Sequence, residues 1–320
     1  MQTTAVLPDG YTVRPPELSD AEAIYELVSA YNTAAVGFAD CTLDHIVDDL
    51  DEPGFDRKAD GRLVLAADGR TVAYGTTFGK GNREAIDIDV VSLDHAVTGW
   101  LVDQTVHRAL ELGRENGHAE ITVDANLYRN DEALRDLLAE RGFTASTTYH
   151  RMQIDHEGPV APPEHPAGVA VRRGALDDTT RRSAHALVNE CFRGQFGFVA
   201  RPYDEWHEAR ETRSTFDWSQ LTLLEVGGRA VAVRECSDEF VPDENCGYIG
   251  WLGVLEQARG RGLAKFLLRD AFALDAAAGR SGTILHVDTN NPTPALDLYE
   301  SVGMQPTLVI DVWRRVLPTA

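Results

Sequence analysis

Cysteine is scarce in this chain of 320 residues: there are four, and none forms a CxxC pair or joins a histidine cluster with zinc-ligand spacing. Disulfide frameworks and structural zinc sites both depend on such clusters. The sequence therefore predicts no metal site, and free thiols in a reducing compartment. The four residues are Cys41, Cys191, Cys236 and Cys246.

Positive charge is also in short supply. Lysine and arginine number 30 against 51 aspartates and glutamates, so the formal net charge is -21 and the pI is about 4.8. Such a surface repels phosphate backbones and anionic lipids, which argues against nucleic-acid and membrane partners. The same surface attracts a cationic substrate such as a small amine.

Long apolar runs are missing as well. No stretch reaches the roughly 18 consecutive apolar residues of a membrane span. The opening segment MQTTAVLPDG has no basic stretch followed by an apolar run, so it does not resemble a signal peptide, and we expect a cytoplasmic protein. Hydrophobic residues make up 43% of the chain, which allows large cores, and the length predicts two domains.

What the chain does have is an internal repeat. Three short segments recur in the same order, with offsets of 158, 159 and 161 residues. They are a G-x-x-V-R segment at 10–14 and 168–172, a hairpin turn at 69–73 and 228–232, and a closing glycine segment at 141–143 and 302–304. One match would be chance, but three at nearly constant offset indicate one duplicated unit.

A proline-rich segment separates the two copies. Four prolines lie between His156 and Gly168, and because proline fixes φ and has no N–H, this segment favours an extended linker. The sequence thus predicts a first domain over 1–155, a linker over 156–167 and a second domain over 168–320.

Both copies predict the same order of elements: strand, helix, hairpin, strand, long helix, strand, short helix and strand. Strands that begin as a hairpin and then alternate with helices predict an α/β fold, with a mixed central sheet and helices on both faces. In the second copy, Leu263, Phe266, Leu267 and Ala271 recur at helical spacing and predict the buried face of a helix over 263–278.

The most informative segment is YIGWLGVLEQARGRGLA at 248–264, a strand, a glycine-rich loop and a helix start. The first N–H groups of a helix lack internal partners, the helix dipole adds positive potential, and glycine lets a diphosphate approach the backbone. Arg259 and Arg261 add charge. A plain surface turn or an RNA-binding RGG patch are the alternatives, while the spacing fits neither a Rossmann motif nor a P-loop.

The run RGRGLA at 259–264 resembles the R/Q-x-x-G-x-G/A signature of the GNAT acyltransferase superfamily. The resemblance implies two tandem GNAT-like domains, acetyl-CoA as co-substrate, and a loop whose amides hold the pyrophosphate. It also implies a splayed strand before the loop, whose backbone bonds the pantetheine and the thioester carbonyl. The cofactor-binding positions implied in this way are Leu252, Gly253, Val254, Arg259, Gly260, Arg261, Gly262, Leu263 and Ala264.

A second motif supports this resemblance. Asn291, Ala295, Tyr299 and Gly303 are similar to the family's closing N-x3-A-x3-Y-x3-G-F pattern, with Met304 in place of phenylalanine. The resemblance implies that Asn291 contacts the cofactor and that Tyr299 protonates the leaving thiolate. The alternatives are a helix cap or turn residue for the asparagine and a packed core aromatic for the tyrosine.

The first copy serves as an internal comparison. Aligning Val91 with Val254 makes 96–101 the counterpart of the glycine-rich loop, and only Gly99 of the signature remains there, beside a bulky Trp100. Leu138 replaces the tyrosine, although Asn130 keeps the asparagine offset. We interpret the first copy as a degenerate domain without catalytic activity.

The sequence indicates the acceptor and the general base less specifically than it indicates the cofactor. In mycothiol synthases, which are two-unit GNAT enzymes of similar length, a glutamate lies on the strand before the loop, and this sequence has Tyr248 there. Aromatic residues between Cys191 and Trp218 are candidates for an acceptor pocket. We expect acetylation of a primary amine on a small molecule by a monomer or homodimer. Mycothiol synthase-type acetylation of a cysteinyl amine and non-catalytic acyl-CoA binding are the alternatives.

Overall fold

The computed structural model describes residues 6–319. The first half of the opening segment MQTTAVLPDG, which we expect not to be a signal peptide, therefore lies outside the described residues. The chain forms two compact units. The first contains the chain up to Thr148 and again from Val309 onward, and the second is Tyr149–Leu308. Among the described helices, none has both the length and the apolar content needed to cross a membrane.

The first unit is a mixed sheet with helices packed against it. Its strands are β1 (Thr12–Arg14), β2 (Gly61–Leu65), β3 (Thr71–Lys80), β4 (Ala85–Ser92), β5 (Glu120–Tyr128) and most of β12 (Gln305–Pro318). Its helices are α1 (Ala21–Val36), α2 (Leu43–Leu50), α3 (Arg57–Asp60), α4 (His95–Glu115) and α5 (Glu132–Glu140). The strands lie in the order β1-β2-β3-β4-β5-β12, with β4 and β5 parallel and the other neighbours antiparallel.

The second unit has the same design. Its strands are the end of β6 (Thr144–Asp155), β7 (Ala170–Arg173), β8 (Leu221–Val226), β9 (Arg229–Ser237), β10 (Cys246–Val254) and β11 (Gly282–Asp288). Its helices are α6 (Asp178–Phe192), α7 (Tyr203–Glu211), α8 (Val241–Glu244), α9 (Leu263–Ala277) and α10 (Ala295–Ser301). The order is β6-β11-β10-β9-β8-β7, with β10 and β11 parallel.

The compact units differ from the predicted domains at their last strands. Residues 149–155 of β6 pair with β11 in the second unit, and residues 310–318 of β12 pair with β5 in the first. Each unit therefore takes its sixth strand from the other copy of the sequence repeat. A repeat in sequence shows which segments are homologous, but it does not show which sheet the final strand completes.

Apolar residues cover both faces of each sheet, which confirms the predicted fold class. In the first unit, Ile24 of α1 and Tyr74 of β3 share one cluster, while Ile88 of β4 and Leu101 of α4 share another. The predicted buried face of α9 is also confirmed, since its four residues are at most 5% exposed. Apolar clusters form on both faces of each sheet because successive side chains along a strand point to opposite faces.

A buried ion pair holds α9 against the second sheet. Asp270 of α9 accepts hydrogen bonds from Arg173 of β7 at 2.6 Å and from Arg234 of β9 at 2.9 Å. Burial opposes the charge on Asp270, but the two guanidinium groups outweigh it and lower its pKa. Arg234 is only 2% exposed and also donates to the Leu267 carbonyl at 2.8 Å, so this network positions the helix at whose start the glycine-rich loop lies.

We predict that Asp270→Ala lowers the free energy of unfolding by about 3–5 kcal/mol, because it leaves the buried charge of Arg234 without a partner. Urea denaturation of the whole chain measures this. The control is Glu225→Ala, which breaks the 2.8 Å pair with the half-exposed Arg172 and is expected to cost less than about 1 kcal/mol. Equal losses in the two variants would contradict the assignment of Asp270 as the residue that holds α9.

Candidate acyl-transfer site

The candidate site begins where β10 and β11 separate. Their parallel pairing runs from Cys246 opposite Gly282 to Ile249 opposite Leu285 and then stops. β10 nevertheless continues to Val254 beside β9, and β11 continues to Asp288 beside β6. A gap therefore opens between residues 250–254 and 286–288, which we call the second-unit gap.

A β-bulge at Gly250 sets the side-chain directions at this gap. The register of β10 against β9 shifts between Ile249 and Trp251. Because a bulge inserts one residue, Ile249 and Leu252 face the same side, where both contact the cluster formed by α9 and α10. Tyr248 and Trp251 face the other side of the sheet.

Backbone groups on the gap side of β10 are available for a ligand. The N–H of Leu255 donates to the Val231 carbonyl at 3.0 Å, so the antiparallel bonds to β9 involve residues 251, 253 and 255. The alternate residues Leu252 and Val254 then direct their N–H groups toward the gap, as does the carbonyl of Leu252, whereas the carbonyl of Val254 accepts from Nε of Arg259. Of the three strand positions predicted to bind the cofactor, two present their backbone at the gap.

Gly253 has a different role. Its backbone faces β9, and a Cβ at this position would lie 2.8 Å from Cβ and 3.0 Å from Sγ of Cys191 on α6. Glycine is required here because α6 packs directly on the strand. Burial raises the pKa of the Cys191 thiol to about 11, with the positive charge of Arg259 acting in the opposite direction, so the thiol is protonated at neutral pH.

The segment between β10 and α9, residues 255–262, is the glycine loop. Gly260 and Gly262 both have a φ of +74°, and a Cβ on either would meet no atom within 4 Å, so the loop backbone borders open space. The first helical bond across the loop end is from the Phe266 N–H to the Gly262 carbonyl at 2.9 Å. The N–H groups of Leu263 and Ala264 therefore have no acceptor within the helix.

The two loop arginines differ in orientation. Arg259 folds back, and its Nε donates to the Val254 carbonyl at 3.2 Å, which ties the loop to the end of β10. Arg261 is exposed next to the open backbone. The loop thus combines exposed N–H groups, the positive end of the α9 dipole and an exposed guanidinium, which are the features of an anion-binding helix start.

Tyr299 lies on the α9 side of the second-unit gap. It is 8% exposed and shares a cluster with Ile249 and Leu285, the last paired residues of the two separating strands. Burial raises the pKa of its hydroxyl to about 12, and no hydrogen bond to another described residue contributes to that shift. The packed-aromatic alternative describes its ring correctly, but the ring also lies where the gap begins.

Asn291 is a turn residue. Its Oδ1 accepts from the N–H of Thr293 at 2.9 Å and from the hydroxyl of the same threonine at 2.7 Å. α10 begins only at Ala295, after Pro294, so the helix-cap alternative does not apply. The structure brings Asn291 to the end of β11 through the bond from its N–H to the Asp288 carbonyl at 3.1 Å, and a role in cofactor binding stays a prediction.

Sequence reasoning missed a polar pair on the opposite side of the sheet. The hydroxyl of Tyr248 lies 3.2 Å from Nδ1 of His286 on β11, and Phe240 packs against both rings. His286 is the first residue of β11 past the last pair, so its ring borders the gap. The signal was a lone histidine within the apolar strand ILHVD, next to the strand that carries Tyr248.

Aromatic residues continue this side of the sheet beyond the polar pair. The ring centroids of Trp251 and Phe192 are 4.6 Å apart, and Phe198 lies 5.9 Å from each of those two rings. Trp251 is half-buried, so this apolar wall is partly accessible. Three exposed glutamates lie on α7 in the same part of the chain, and they are Glu205, Glu208 and Glu211.

The first unit lacks the glycine loop. Only two residues separate β4 from α4, against the eight of residues 255–262, so the segment 96–101 that was expected to be a loop is the start of α4. The helix is capped by Asp94, whose carboxylate accepts from the Ala96 N–H at 3.0 Å. A diphosphate at this helix start would meet a carboxylate where the second unit offers open backbone.

Other first-unit counterparts differ too. Arg141 covers Gly99, and Nη2 of Arg141 donates to the Gly99 carbonyl at 3.1 Å. Leu138 is buried in the core. The exposed Asn130 makes a long hydrogen bond of 3.5 Å to the Ala35 carbonyl. None of these residues reproduces the arrangement at the second-unit gap.

Comparisons with known proteins agree with this geometry. Residues 182–304 match the model of the acetyltransferase (GNAT) family. A GCN5-related N-acetyltransferase from Sphaerobacter thermophilus is similar in structure, with a TM-score of 0.81, 23% identity and 98% of each chain covered. No curated protein sequence matches the chain.

More distant structures share the fold over nearly the whole chain. A tandem GNAT protein from the clavulanic acid biosynthesis pathway has a TM-score of 0.71 at 15% identity, covering 97% of this chain and 99% of its own. N-myristoyltransferase of Saccharomyces cerevisiae, solved with myristoyl-CoA, has a TM-score of 0.64 at 10% identity, covering 98% and 80%.

The separated strands and the open helix start lie within the segment that matches the acetyltransferase (GNAT) family model, which supports an acyltransferase enzyme. The match to the acetyltransferase (GNAT) family model lies entirely within the second unit, and the whole chain shares its fold with solved GNAT structures.

Proposed function

We propose that the protein is an acetyl-CoA-dependent N-acetyltransferase that acetylates a primary amine of a small molecule at the second-unit gap. The observation that carries the proposal is the open glycine loop, which directly adjoins the free edge of β10. Bound acetyl-CoA supplies an acetyl group activated as a thioester. The residues of the chain bind it, orient it and move the protons.

The glycine loop suits the diphosphate of coenzyme A. Gly260 and Gly262 leave room for phosphate oxygens at the backbone, and the N–H groups at the start of α9 point toward that space. Arg261 adds a charge that a phosphate can pair with. In the first unit the shortened loop and the Asp94 cap oppose the same ligand, which supports a single cofactor site.

The free edge of β10 suits the acyl group. The gap-facing N–H groups of Leu252 and Val254 can extend their bonding to the pantetheine amide and the thioester carbonyl as an added strand would. A backbone N–H aimed at that carbonyl stabilises the negative charge that develops on its oxygen. Holding both reactants at one gap contributes a further large share of the rate.

Tyr299 suits the role of general acid. With a pKa near 12, its hydroxyl keeps its proton at neutral pH and donates it to the departing sulfur. Cys191 does not suit covalent catalysis, because its thiol stays protonated and packs on Gly253. Direct attack of the amine in a ternary complex therefore agrees best with these residues.

Tyr248 and His286 supply a base on the other side of the sheet. A proton from the acceptor ammonium passes to the Tyr248 oxygen as the tyrosine proton passes to Nδ1 of His286, 3.2 Å away. The neutral amine that results then forms the new C–N bond. The acid, Tyr299, and the base, Tyr248 with His286, lie on opposite sides of the sheet. Deprotonation of the amine and protonation of the departing thiolate therefore use different groups.

The acceptor class remains a small amine. The accessible apolar wall at Trp251 and the acidic protein surface favour a cation with an apolar body. Tyr248 in place of the expected glutamate disfavours mycothiol-type acetylation of a cysteinyl amine, and turnover of any amine would exclude non-catalytic acyl-CoA binding. A cytoplasmic location and a monomer or homodimer stay predictions.

We predict that Gly262→Trp weakens coenzyme A binding by more than a hundredfold, roughly 3 kcal/mol, since an indole at a φ of +74° fills the space beside the loop. Calorimetry with coenzyme A measures this. Gly228→Trp is the matched control, because it has a φ of +77° and equally open surroundings at the β8–β9 turn. Gly99→Ala in α4 should also leave binding intact, and equal losses at Gly99 and Gly262 would overturn the choice of unit.

We predict that Tyr299→Phe lowers kcat by about a hundredfold while the affinity for acetyl-CoA changes less than about threefold. Phenylalanine keeps the packing of the ring and removes only the proton donor. Stopped-flow detection of free thiol gives kcat, and calorimetry gives the affinity. An unchanged kcat removes Tyr299 from the mechanism.

We predict that His286→Gln lowers kcat/KM at pH 7 by about a hundredfold and that this deficit shrinks about tenfold per pH unit as the pH rises. Above neutral pH, solvent supplies the neutral amine and the lost base matters less. His118→Gln in the first unit is the control, and its profile should follow the unmodified protein. A deficit that is constant across pH would show that His286 has a structural role only.

A further inference from the structure

The face of the second sheet that carries Tyr248 and His286 also carries a buried positive charge. Arg151 of β6 is paired with His286 of β11 in the antiparallel register, so their side chains leave the sheet on the same face as direct neighbours. Arg151 is only 1% exposed. Neither the acid nor the base of the proposed mechanism includes it, yet burying a guanidinium carries a large desolvation cost.

Glu244 of α8 anchors this guanidinium. Nη2 of Arg151 donates to Oε2 of Glu244 at 2.5 Å, and the side chain of the glutamate is 25% exposed. The pair is therefore asymmetric, because water screens the carboxylate while protein surrounds the guanidinium. A buried ion pair is a weak source of stability, since apolar residues of similar volume often replace it without loss. The positive charge at this position thus indicates a function other than holding the fold.

Phe240 links Arg151 to the proposed base. The guanidinium carbon of Arg151 lies 4.9 Å from the centroid of the Phe240 ring, which is a cation–π distance. The centroid of the same ring lies 5.2 Å from that of Tyr248 and 6.3 Å from that of His286. Phe240 is 4% exposed, so little water enters between these groups. Charges on this face therefore act through a medium of low polarity, where they reach further than they do in water.

Two carboxylates also lie near His286. Asp288 lies two residues further along β11 on the same face, roughly 7 Å away by the rise of a strand, and it is 9% exposed. Glu244 lies on α8 against the guanidinium. Negative charge beside an imidazole favours its protonated form. Arg151 supplies positive charge that opposes this effect.

The other elements packed on this face add little net charge. The wall beside the base consists of uncharged rings, among them Trp251 and Phe192. Glu235 of β9 and Arg210 of α7 pair with each other at 2.9 Å, and the two side chains are 10% exposed each. Their charges largely cancel at the distance of the base. The balance at the imidazole is therefore set mainly by Arg151 and the two carboxylates.

The charge of the imidazole decides whether the base can work. The hydroxyl of Tyr248 can donate to Nδ1 of His286, 3.2 Å away, only when that nitrogen carries no proton. An imidazolium carries protons on both nitrogens and blocks the transfer. An unperturbed histidine titrates at about pH 6.5, so small changes in its surroundings move it across neutral pH.

We propose that Arg151 is a positioning residue that keeps His286 neutral at neutral pH. Its buried charge offsets those of Glu244 and Asp288, and its contact with Phe240 holds that ring against the imidazole. That the neutral imidazole has a catalytic use rests on the proposed function, whereas its charge state can be measured without it.

The test uses the full chain and follows the histidine ring signals by NMR during a pH titration. The signal of His286 is assigned from its loss in His286→Gln. Arg151→Met keeps most of the side-chain volume and removes the charge, so the midpoint of His286 should rise by about one pH unit. Glu244→Gln leaves the arginine charged and removes its counter-charge, so the midpoint should fall by about half a unit.

Two controls separate charge from structure. Arg151→Lys retains the charge and should keep the midpoint within about 0.3 units of the unmodified chain. Arg172→Met removes an arginine of β7 that pairs with Glu225 of β8 at 2.8 Å, and it should leave the midpoint unchanged. Circular dichroism of each variant checks that it is folded.

The pH profile of activity distinguishes failure of this inference from failure of the proposed function. If His286 is part of the base, the pH below which kcat/KM falls should move in Arg151→Met by the same amount as the NMR midpoint. A midpoint shift without a change in that profile removes His286 from the mechanism and leaves the inference about Arg151 intact. Equal midpoints in Arg151→Met and the unmodified chain, or an equal rise in Arg151→Lys, would refute the inference.

Discussion

Backbone N–H and C=O groups that lose their partner strand need other hydrogen-bond partners. The candidate site of the second unit lies where one strand loses such a partner. β10 keeps its bonds to β9 but loses those to β11 after Ile249. The resulting edge would be an unsatisfied strand in the interior of a sheet, which is costly without a ligand or water. The glycine loop, the bulge at Gly250 and the aromatic residues around Trp251 all border this edge.

The two units share the parted strands but differ at the helix that follows them. In each unit the parallel pairing stops before the two strands end. In the first unit the connection to α4 is two residues long and Asp94 caps that helix, where the second unit has the open glycine loop.

The second unit also shows how stability and function are connected through α9. The N-terminus of this helix faces the open loop, while the middle of the helix is fixed by the buried Asp270 network. A helix dipole can act on a ligand only if the helix cannot move away from it. Burying an ion pair is a poor source of stability, but it specifies one position of the helix strongly.

The amino-acid sequence by itself determined the mixed α/β sheet and predicted the duplicated unit and the glycine-rich segment 259–264, because repeats, periodicity and glycine-rich turns are local patterns. The tertiary structure decided the rest. It assigned the last strands to opposite units, turned the backbone of Gly253 away from the gap, and brought Tyr248 to His286. These outcomes depend on strand pairing and register, where contacts form between residues far apart in the chain and a shift of one residue reverses every side chain.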